Sequence, residues 1–273
     1  MILAQVKFGT QRGSTKEQLS EVAENYLVRL LRAGQICGEY LLAWSDEVLG
    51  AHLMLAGPNA FLGENHSQYG IEELAKVQEA FGNAPCWFIL DDDCPKEPLK
   101  WKDAPFLYLF THAFAKSAPV NHGMSGAPVP TYAIPISIET KEGLYCWQKR
   151  YHDLDNIQLG SGVLEIPAYR QLADPNSELS QEGRHLCRQI EIGTGIPTFY
   201  YLMKYWARET GEEDRLCPGC GNNWKGEGVE ASPKQFYQFD FRCDKCRLVS
   251  HLGVSTDGGD NVGIGEFQKS KAP

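Results

Sequence analysis

The sequence contains no apolar run near the ~18 residues that a membrane-spanning helix needs. Residues 1–8 alternate like a β-strand and lack the basic start and long apolar segment of a secretory leader, so we expect no signal peptide. A P-loop, a glycine-rich dinucleotide fingerprint and a G-x-S-x-G elbow are also missing. Hydrophobic residues make up 42% of the chain and charged residues 22%, which is typical of a globular protein.

Positive charge is scarce as well. The formal net charge is -9 and the pI is about 5.3, so the chain as a whole has no basic surface for nucleic acid. Five of the nine cysteines are scattered, an odd number that shows no disulfide framework. A reducing compartment explains this pattern, and we predict a cytoplasmic protein.

The N-terminal third has a regular order of predicted elements. A capping box with Ser14 at the cap and Glu17 three residues later starts the first helix, and Gly82 ends the second. Apolar periodicity predicts helices over about 15–33 and 70–81 and strands over 2–8, 39–45, 50–56 and 86–90. This βαββαβ order predicts a ferredoxin-like unit.

The rest of the chain predicts a mixed pattern. Apolar and alternating runs favour strands at 106–110 and 131–138, and the periodicity then favours helices at 144–155, 164–172, 179–192 and, opened by Pro197, 198–208. We therefore predict an α+β protein with a ferredoxin-like domain at 1–138, a helical region at 139–211, a zinc ribbon at 212–252 and a flexible tail at 253–273.

Four cysteines carry the strongest signal in the sequence. Cys217 and Cys220 form one C-x-x-C pair, and Cys243 and Cys246 form another. The 22 residues between the two pairs are typical of one tetrahedral metal site. We predict one structural zinc ion on these four thiolates, with the aromatic run 236–241 forming a β-hairpin between the two turns. Iron in a rubredoxin-like site is the alternative metal, since the same ligands accept it. Unrelated core cysteines or redox pairs are the alternative without a metal.

The charge of the ribbon segment bears on its partner. Residues 212–252 carry six basic and seven acidic side chains, and a zinc ion with four thiolates adds a formal charge of about -2. Exposed aromatic side chains of the hairpin could stack on bases, whereas the acidic balance opposes phosphate contacts. A ribbon that packs on its own protein or on a partner protein is the alternative.

Other candidate groups do not form a known catalytic set, and we predict no catalytic residue. Asp91, Asp92 and Asp93 follow a strand, where we expect a solvated turn. A long loop holds the candidate binding residues His112, Lys116, Asn121 and His122. The pairs Cys146 with His152 and His185 with Cys187 fall in predicted helices at spacings that do not share a face well, so we interpret them as ordinary side chains.

A resemblance is carried by the run 195–202, the first cysteine turn with Trp224, and the run 243–250. Through these segments the chain resembles a bacterial family of zinc-ribbon-containing proteins of uncharacterised function, to which nucleic-acid binding has been attributed. The likeness is sharpest over about 195–250 and looser over 147–192. It implies zinc on the four cysteines and a bacterial cytosolic protein.

Two hypotheses about function follow. The first is a binding protein whose ribbon contacts nucleic acid or a nucleic-acid-associated partner. The second is an enzyme with a site in the 112–130 loop and the ribbon as a structural lid. In either case the linker 212–214 is short, so the ribbon cannot move freely. We expect it to pack, around Trp206, against one face of the helix predicted at 198–208.

Overall fold

The computed structural model describes residues 1–91, 101–160, 162–226 and 235–268. The chain divides into two compact units. The first consists of Met1–Lys100, Lys116–Pro119 and Pro128–Tyr145, and the second of Trp101–Ala115, Val120–Ala127 and Cys146–Pro273. Both helices and sheets are present, which confirms the predicted α+β class. The four predicted segment boundaries stay predictions.

The first unit is built on a four-stranded sheet with two helices. Its elements are β1 (Ile2–Thr10), α1 (Lys16–Arg32), β2 (Ile36–Ser45), β3 (Val48–Leu55), α2 (Gln68–Phe81) and β4 (Cys86–Ile89). The strand order is β2-β3-β1-β4, and every neighbouring pair is antiparallel. Alternate residues of β1 are buried, and they pack with apolar residues of both helices in one core, including Val6, Phe8, Tyr26, Leu27 and Phe81.

The ends of these elements follow local chemistry. Helix α1 is capped by Thr15, and its third helical residue Gln18 completes the capping box. The predicted cap at Ser14 with Glu17 is therefore wrong by one residue; the two overlapping patterns differ only in which pair forms the reciprocal bonds. Gly82 ends α2 in the left-handed conformation, as predicted.

The second unit contains a five-stranded sheet. Its strands are β5 (Leu107–Leu109), β6 (Val120–His122), β7 (Thr198–Tyr201), β8 (Phe241–Cys243) and β9 (Leu248–Ser250), in the order β6-β5-β7-β9-β8. β7 pairs in parallel with β5 and with β9, whereas the two outer pairs are antiparallel. One face of the sheet carries an aromatic core of Phe106, Tyr108, Phe199 and Tyr201 with Val249.

Three helices follow the predicted middle of the chain. They are α3 (Ile138–Leu159), α4 (Glu165–Ala173) and α5 (Glu178–Thr194), each close to a predicted helix. Within the described residues no helix is long and apolar enough to cross a bilayer. The strand predicted at 131–138 is wrong: residues 131–133 form a 3-10 turn and α3 starts at Ile138.

The helix predicted at 198–208 is also wrong, because Thr198–Tyr201 is the central strand of the second sheet. All four of its residues are buried. A strand covered on both faces has no polar side, and its short apolar run cannot be told from a buried helix by periodicity. The predicted packing of a helix against the ribbon therefore does not occur.

The C-terminal segment makes specific contacts within the second unit, and the flexible tail predicted at 253–273 stays a prediction. Lys204 Nζ donates to the carbonyl oxygen of Val262 at 2.6 Å, and Arg208 binds both carboxylate oxygens of Glu266. Trp206 packs edge-on against Tyr169, with ring centroids 4.4 Å apart, and its segment pairs with Ser255. Residues 255–266 are thus held by specific contacts.

Candidate metal centre

The four predicted ligands come together. The Sγ atoms of Cys217, Cys220, Cys243 and Cys246 all lie within 4.8 Å of one another, and those of Cys220 and Cys243 are 3.7 Å apart. A disulfide bond would hold two sulfurs at about 2.05 Å, so these are separate thiols. Zinc–sulfur bonds of about 2.3 Å in a regular tetrahedron place the sulfurs roughly 3.8 Å apart. The donor set therefore fits a tetrahedral metal ion.

The first cysteine turn depends on a glycine. The amide of Gly221 donates to the carbonyl oxygen of Cys217 at 2.8 Å, and Gly221 has φ of 71°. A Cβ atom at this position would lie 2.5 Å from Cζ of Phe267. Both the backbone conformation and the neighbouring ring therefore require glycine.

The second turn reaches the same conformation without glycine. Arg247 has φ of 54°, and the Cys246 amide donates to Sγ of Cys243 at 3.4 Å. The Arg247 guanidinium donates to both carboxylate oxygens of Glu191, at 2.8 and 3.0 Å, and to the carbonyl oxygen of Asp244 at 2.8 Å. These bonds compensate for the backbone strain of a non-glycine residue in the left-handed region.

The thiols differ in their environments. Burial raises the pKa of Cys217 well above its usual range and raises the pKa of Cys246 to about 11. At Cys220 the pKa is lowered, chiefly because the backbone amide of Asn222 bonds to the sulfur. Burial therefore opposes the ionisation of two of the four thiols. A bound cation reverses this preference, since a coordinating thiol is deprotonated.

Backbone hydrogen bonds join the metal-site segment to the sheet. β8 and β9 form an antiparallel hairpin, in which Cys243 pairs with Leu248, and β9 pairs in parallel with β7. On the other side, the amide of Arg242 donates to the carbonyl oxygen of Trp224 at 2.7 Å. The second cysteine turn therefore connects two strands of the second sheet, and the segment that follows the first turn is bonded to β8. The predicted attachment through Trp206 is replaced by this shared sheet.

The acidic linker is itself structured around a buried arginine. The Arg215 side chain is 1% exposed, pairs with Glu212 at 3.2 Å, and lies over the rings of Phe241 and Trp224 at 4.2 and 5.2 Å. Desolvation lowers the pKa of Arg215, and the Glu212 carboxylate opposes that shift. This ion pair was not predicted, because nothing in residues 212–215 marks an arginine as buried.

The aromatic run is placed partly as predicted. Phe241 lies in β8 and stacks on Trp224 at 5.1 Å, whereas Phe236 and Phe239 lie before the strand and pack on the aromatic face of the sheet. The Phe236 ring stacks on Phe110 with centroids 4.2 Å apart, and 39% of Phe236 remains exposed.

Two of the four candidate loop residues take structural positions. Asn121 and His122 are buried in β6; Asn121 Nδ2 donates to the carbonyl oxygen of Phe110 at 3.2 Å, and His122 Nδ1 accepts the amides of the turn that follows it. His112 and Lys116 are exposed. Asp91 is half-buried, and Asp92 and Asp93 lie outside the described residues.

The two Cys/His pairs have separate surroundings. His152 Nε2 lies 2.7 Å from the hydroxyl of buried Thr111, and Asp155 accepts the amide of Ala113 at 2.7 Å. These bonds attach residues 111–113 to α3, and no local pattern predicts them. Cys146 and His185 are exposed, and burial raises the pKa of Cys187 far above its usual range.

Comparisons with known proteins match three segments of the chain. Residues 1–91, 102–203 and 207–256 match families described as domains of unknown function, DUF8589, DUF2310 and DUF8594 respectively. The third of these segments contains all four cysteines of the candidate centre. No solved structure matches the chain.

Two similar proteins come from Haemophilus influenzae, and both are described as uncharacterized. One is 32% identical over 232 residues, which cover 80% of this chain and 85% of the relative. The other is 36% identical over 146 residues, covering 53% of this chain and 70% of the relative. The chain therefore belongs to a bacterial family of uncharacterised proteins that contain the DUF2310 domain.

Proposed function

We propose that the chain is a binding protein in which one zinc ion on Cys217, Cys220, Cys243 and Cys246 stabilises a zinc ribbon. The observation that carries this proposal is the approach of four sulfurs to within 4.8 Å at the end of one hairpin. Four thiolates complete a tetrahedron and leave no position for a water or a substrate, which favours a structural metal over a catalytic one. Iron is the competing occupant, since the same ligands accept it.

The two units would have separate roles. The antiparallel order β2-β3-β1-β4 with two intervening helices supports a ferredoxin-like fold for the first unit. Its uncovered sheet face carries exposed apolar side chains, among them Leu41, which is 68% exposed. Such a face suits a partner. Reduced cysteines throughout the described chain support a cytoplasmic location.

For the second unit, we propose contact with single-stranded nucleic acid. Phe236 and Phe114 are 39% and 75% exposed, and Phe110 extends the same group of rings through its stack on Phe236. Exposed aromatic rings accept bases of any sequence. The enzyme alternative has less support, because Asn121 is committed to a hydrogen bond with Phe110 and His122 to the turn that follows it.

The test is the binding of a fluorescent single-stranded RNA and DNA to the zinc-loaded chain, measured by anisotropy at several salt concentrations. We expect affinity to fall as salt rises. Replacing Phe236→Ala should weaken binding several-fold, since stacking contributes about 1–3 kcal/mol per base. Phe88→Ala is the matched control, because Phe88 is exposed to a similar extent, 44%, in the first unit. If neither nucleic acid binds at low salt, the proposed contact with nucleic acid is contradicted, and a protein partner is then the favoured interpretation of the binding function.

A further inference from the structure

A cavity of about 390 Å³ lies beside the metal centre, within the second unit. Its walls come from α5 and from both cysteine turns, including the ligands Cys220 and Cys246. Four cationic side chains line it: Arg184 and Arg188 from α5, and Lys245 and Arg247 from the second turn. The volume falls in the range of roughly 300–1,000 Å³ that is usual for small-ligand sites.

The cations converge because of two local geometries. Arg184 and Arg188 are one helical turn apart and so share a face of α5. The second turn projects Lys245 and Arg247 from the end of β8, and the Arg247 guanidinium is fixed by its two bonds to Glu191 on the same helix. Glu191 is the only carboxylate that pairs with any of the four cations within the described residues.

The other three cations have spare binding capacity. Arg188 and Lys245 are exposed and form no ion pair in the described part of the chain. The Nε atom of Arg184 is buried and has no hydrogen-bond partner among the described residues. The Nη1 atom of Arg184 donates to the carbonyl oxygen of Pro175 at 3.4 Å. The exposed side chains of Arg188 and Lys245 are therefore the donors that an anion in the cavity reaches most directly.

The net charge around the cavity indicates which sign of ligand it attracts. A zinc ion with four thiolates carries a formal charge of about -2, and Glu191 contributes one more negative charge. The four cations exceed this total by one, although the whole chain is acidic. Guanidinium groups present forked donors that match the oxygens of a phosphate, and lysine adds a point charge.

We propose that this cavity binds a phosphate group, supplied either by the backbone of a nucleic acid or by a small phosphate ester. The proposal rests on the proposed zinc site, since the second cysteine turn holds Lys245 and Arg247. The proposal extends the binding function proposed above, because it places a contact for a phosphate group between α5 and the second cysteine turn.

The experiment titrates the zinc-loaded full chain with inorganic phosphate, a nucleoside monophosphate and a short oligothymidylate, by calorimetry at low salt. Three proteins are compared: the unmodified chain, the double variant Arg188→Gln/Lys245→Gln, and the control Lys102→Gln/Lys149→Gln. The control removes two exposed lysines of the same unit, outside the cavity. The zinc content of each protein is measured separately.

We expect the unmodified chain and the control to bind phosphate alike, and the double variant to bind at least tenfold more weakly with its zinc retained. If the double variant also binds the oligonucleotide at least tenfold more weakly, the cavity holds a phosphate of a nucleic acid. If the double variant loses affinity for the monophosphate but not for the oligonucleotide, the cavity holds a small phosphate ester. Equal phosphate binding by all three proteins would overturn the proposal. So would an unmodified chain that takes no phosphate while the double variant loses zinc, since the cations would then only balance the thiolates. An unmodified chain without zinc contradicts the zinc site, and its phosphate titration still reports on the cavity.

Discussion

At the scale of single residues, the two cysteine turns meet the same backbone requirement by different means. Gly221 adopts positive φ without strain, whereas Arg247 does so with bonds to Glu191 and Asp244. The Arg247 pair is about one-third exposed on both sides, so we expect it to contribute no more than about 1 kcal/mol to global stability. Its main effect is local, because it fixes the direction of the second turn.

Cys243→Ser tests the role of a single ligand. We expect the variant to lose its metal and the amides of β8 and β9 to lose protection from hydrogen exchange, because metal binding supplies folding free energy to so small a segment. The amides of the first unit should keep their protection. Exposed Cys146 provides the control: Cys146→Ser should retain both metal and protection.

Full protection of β8 and β9 in the metal-free Cys243→Ser chain would contradict this account. The hairpin would then be held by its pairing with β7 alone.

The sequence was sufficient to predict the metal ligands, but not the side chains that hold the cysteine turns in place. The C-x-x-C spacing identified all four cysteines that the structure brings together. Arg215 and Glu191 were not identified, because their roles depend on distant partners: His251 lies 36 residues from Arg215, and Arg247 lies 56 residues from Glu191. Local patterns do not contain such contacts.

At the scale of elements, the strand β7 shows where sequence patterns fail. Its flanking Pro197 and apolar run equally fit a helix start, and only its pairing with β5 and β9 decides for a strand. Helices α4 and α5 were predicted because each has an apolar face and a polar face at helical spacing. The prediction of a strand at 131–138 was wrong because a short run of alternating apolar residues there resembles a strand. The run in fact forms a turn that leads into the long helix α3.

The contact between α5 and β7 can be tested at Gly183. A Cβ atom there would lie 2.8 Å from Nε1 of Trp147 and would also clash with the buried ring of Tyr200. We expect Gly183→Ala to lower the free energy of unfolding by about 1–3 kcal/mol through overpacking. This exceeds the gain of up to ~1 kcal/mol that alanine brings to a helix interior.

Chemical denaturation measures this effect. Gly263→Ala is the control, since a Cβ atom there would meet no neighbour within 4 Å. A Gly183→Ala chain that is as stable as the control would show that α5 does not pack on β7 as described.

The C-terminal segment makes a second prediction at this scale. Partial burial raises the pKa of Glu266, but the hydrogen bond from Arg208 and the charge of Lys204 outweigh it, so the pKa lies below its usual value. A lowered carboxyl pKa stabilises the fold above the unfolded value of about 4.3, and this contribution is lost as the pH falls through the folded value.

We therefore expect Glu266→Gln to reduce hydrogen-exchange protection of residues 255–268 at pH 7, by about 1.5–3 kcal/mol, because a charge-assisted bond to buried Lys204 is removed. The difference from the unmodified chain should disappear in acid. Glu213→Gln, at an exposed position, should leave protection unchanged. A segment equally unprotected in all three proteins would support the flexible tail that the sequence predicted.

At the scale of the whole molecule, composition describes the chain poorly. A net charge of -9 excludes an overall basic surface, yet four cations meet in one cavity beside the metal centre. Arg184 and Arg188 are about 60 residues away from Lys245 and Arg247 in sequence, so no local pattern predicts that these cations meet. They meet because β9 pairs with β7, which lies next to α5. The α+β class and the metal ligands were readable from the sequence, and this juxtaposition was not.

The central claim is one structural zinc ion per chain on four cysteines. Native mass spectrometry of the freshly purified full chain, with Cys243→Ser beside it, tests this claim most directly. We predict a single zinc ion in the unmodified chain and none in the variant. An unmodified chain that carries iron, or no metal at all, would contradict the account.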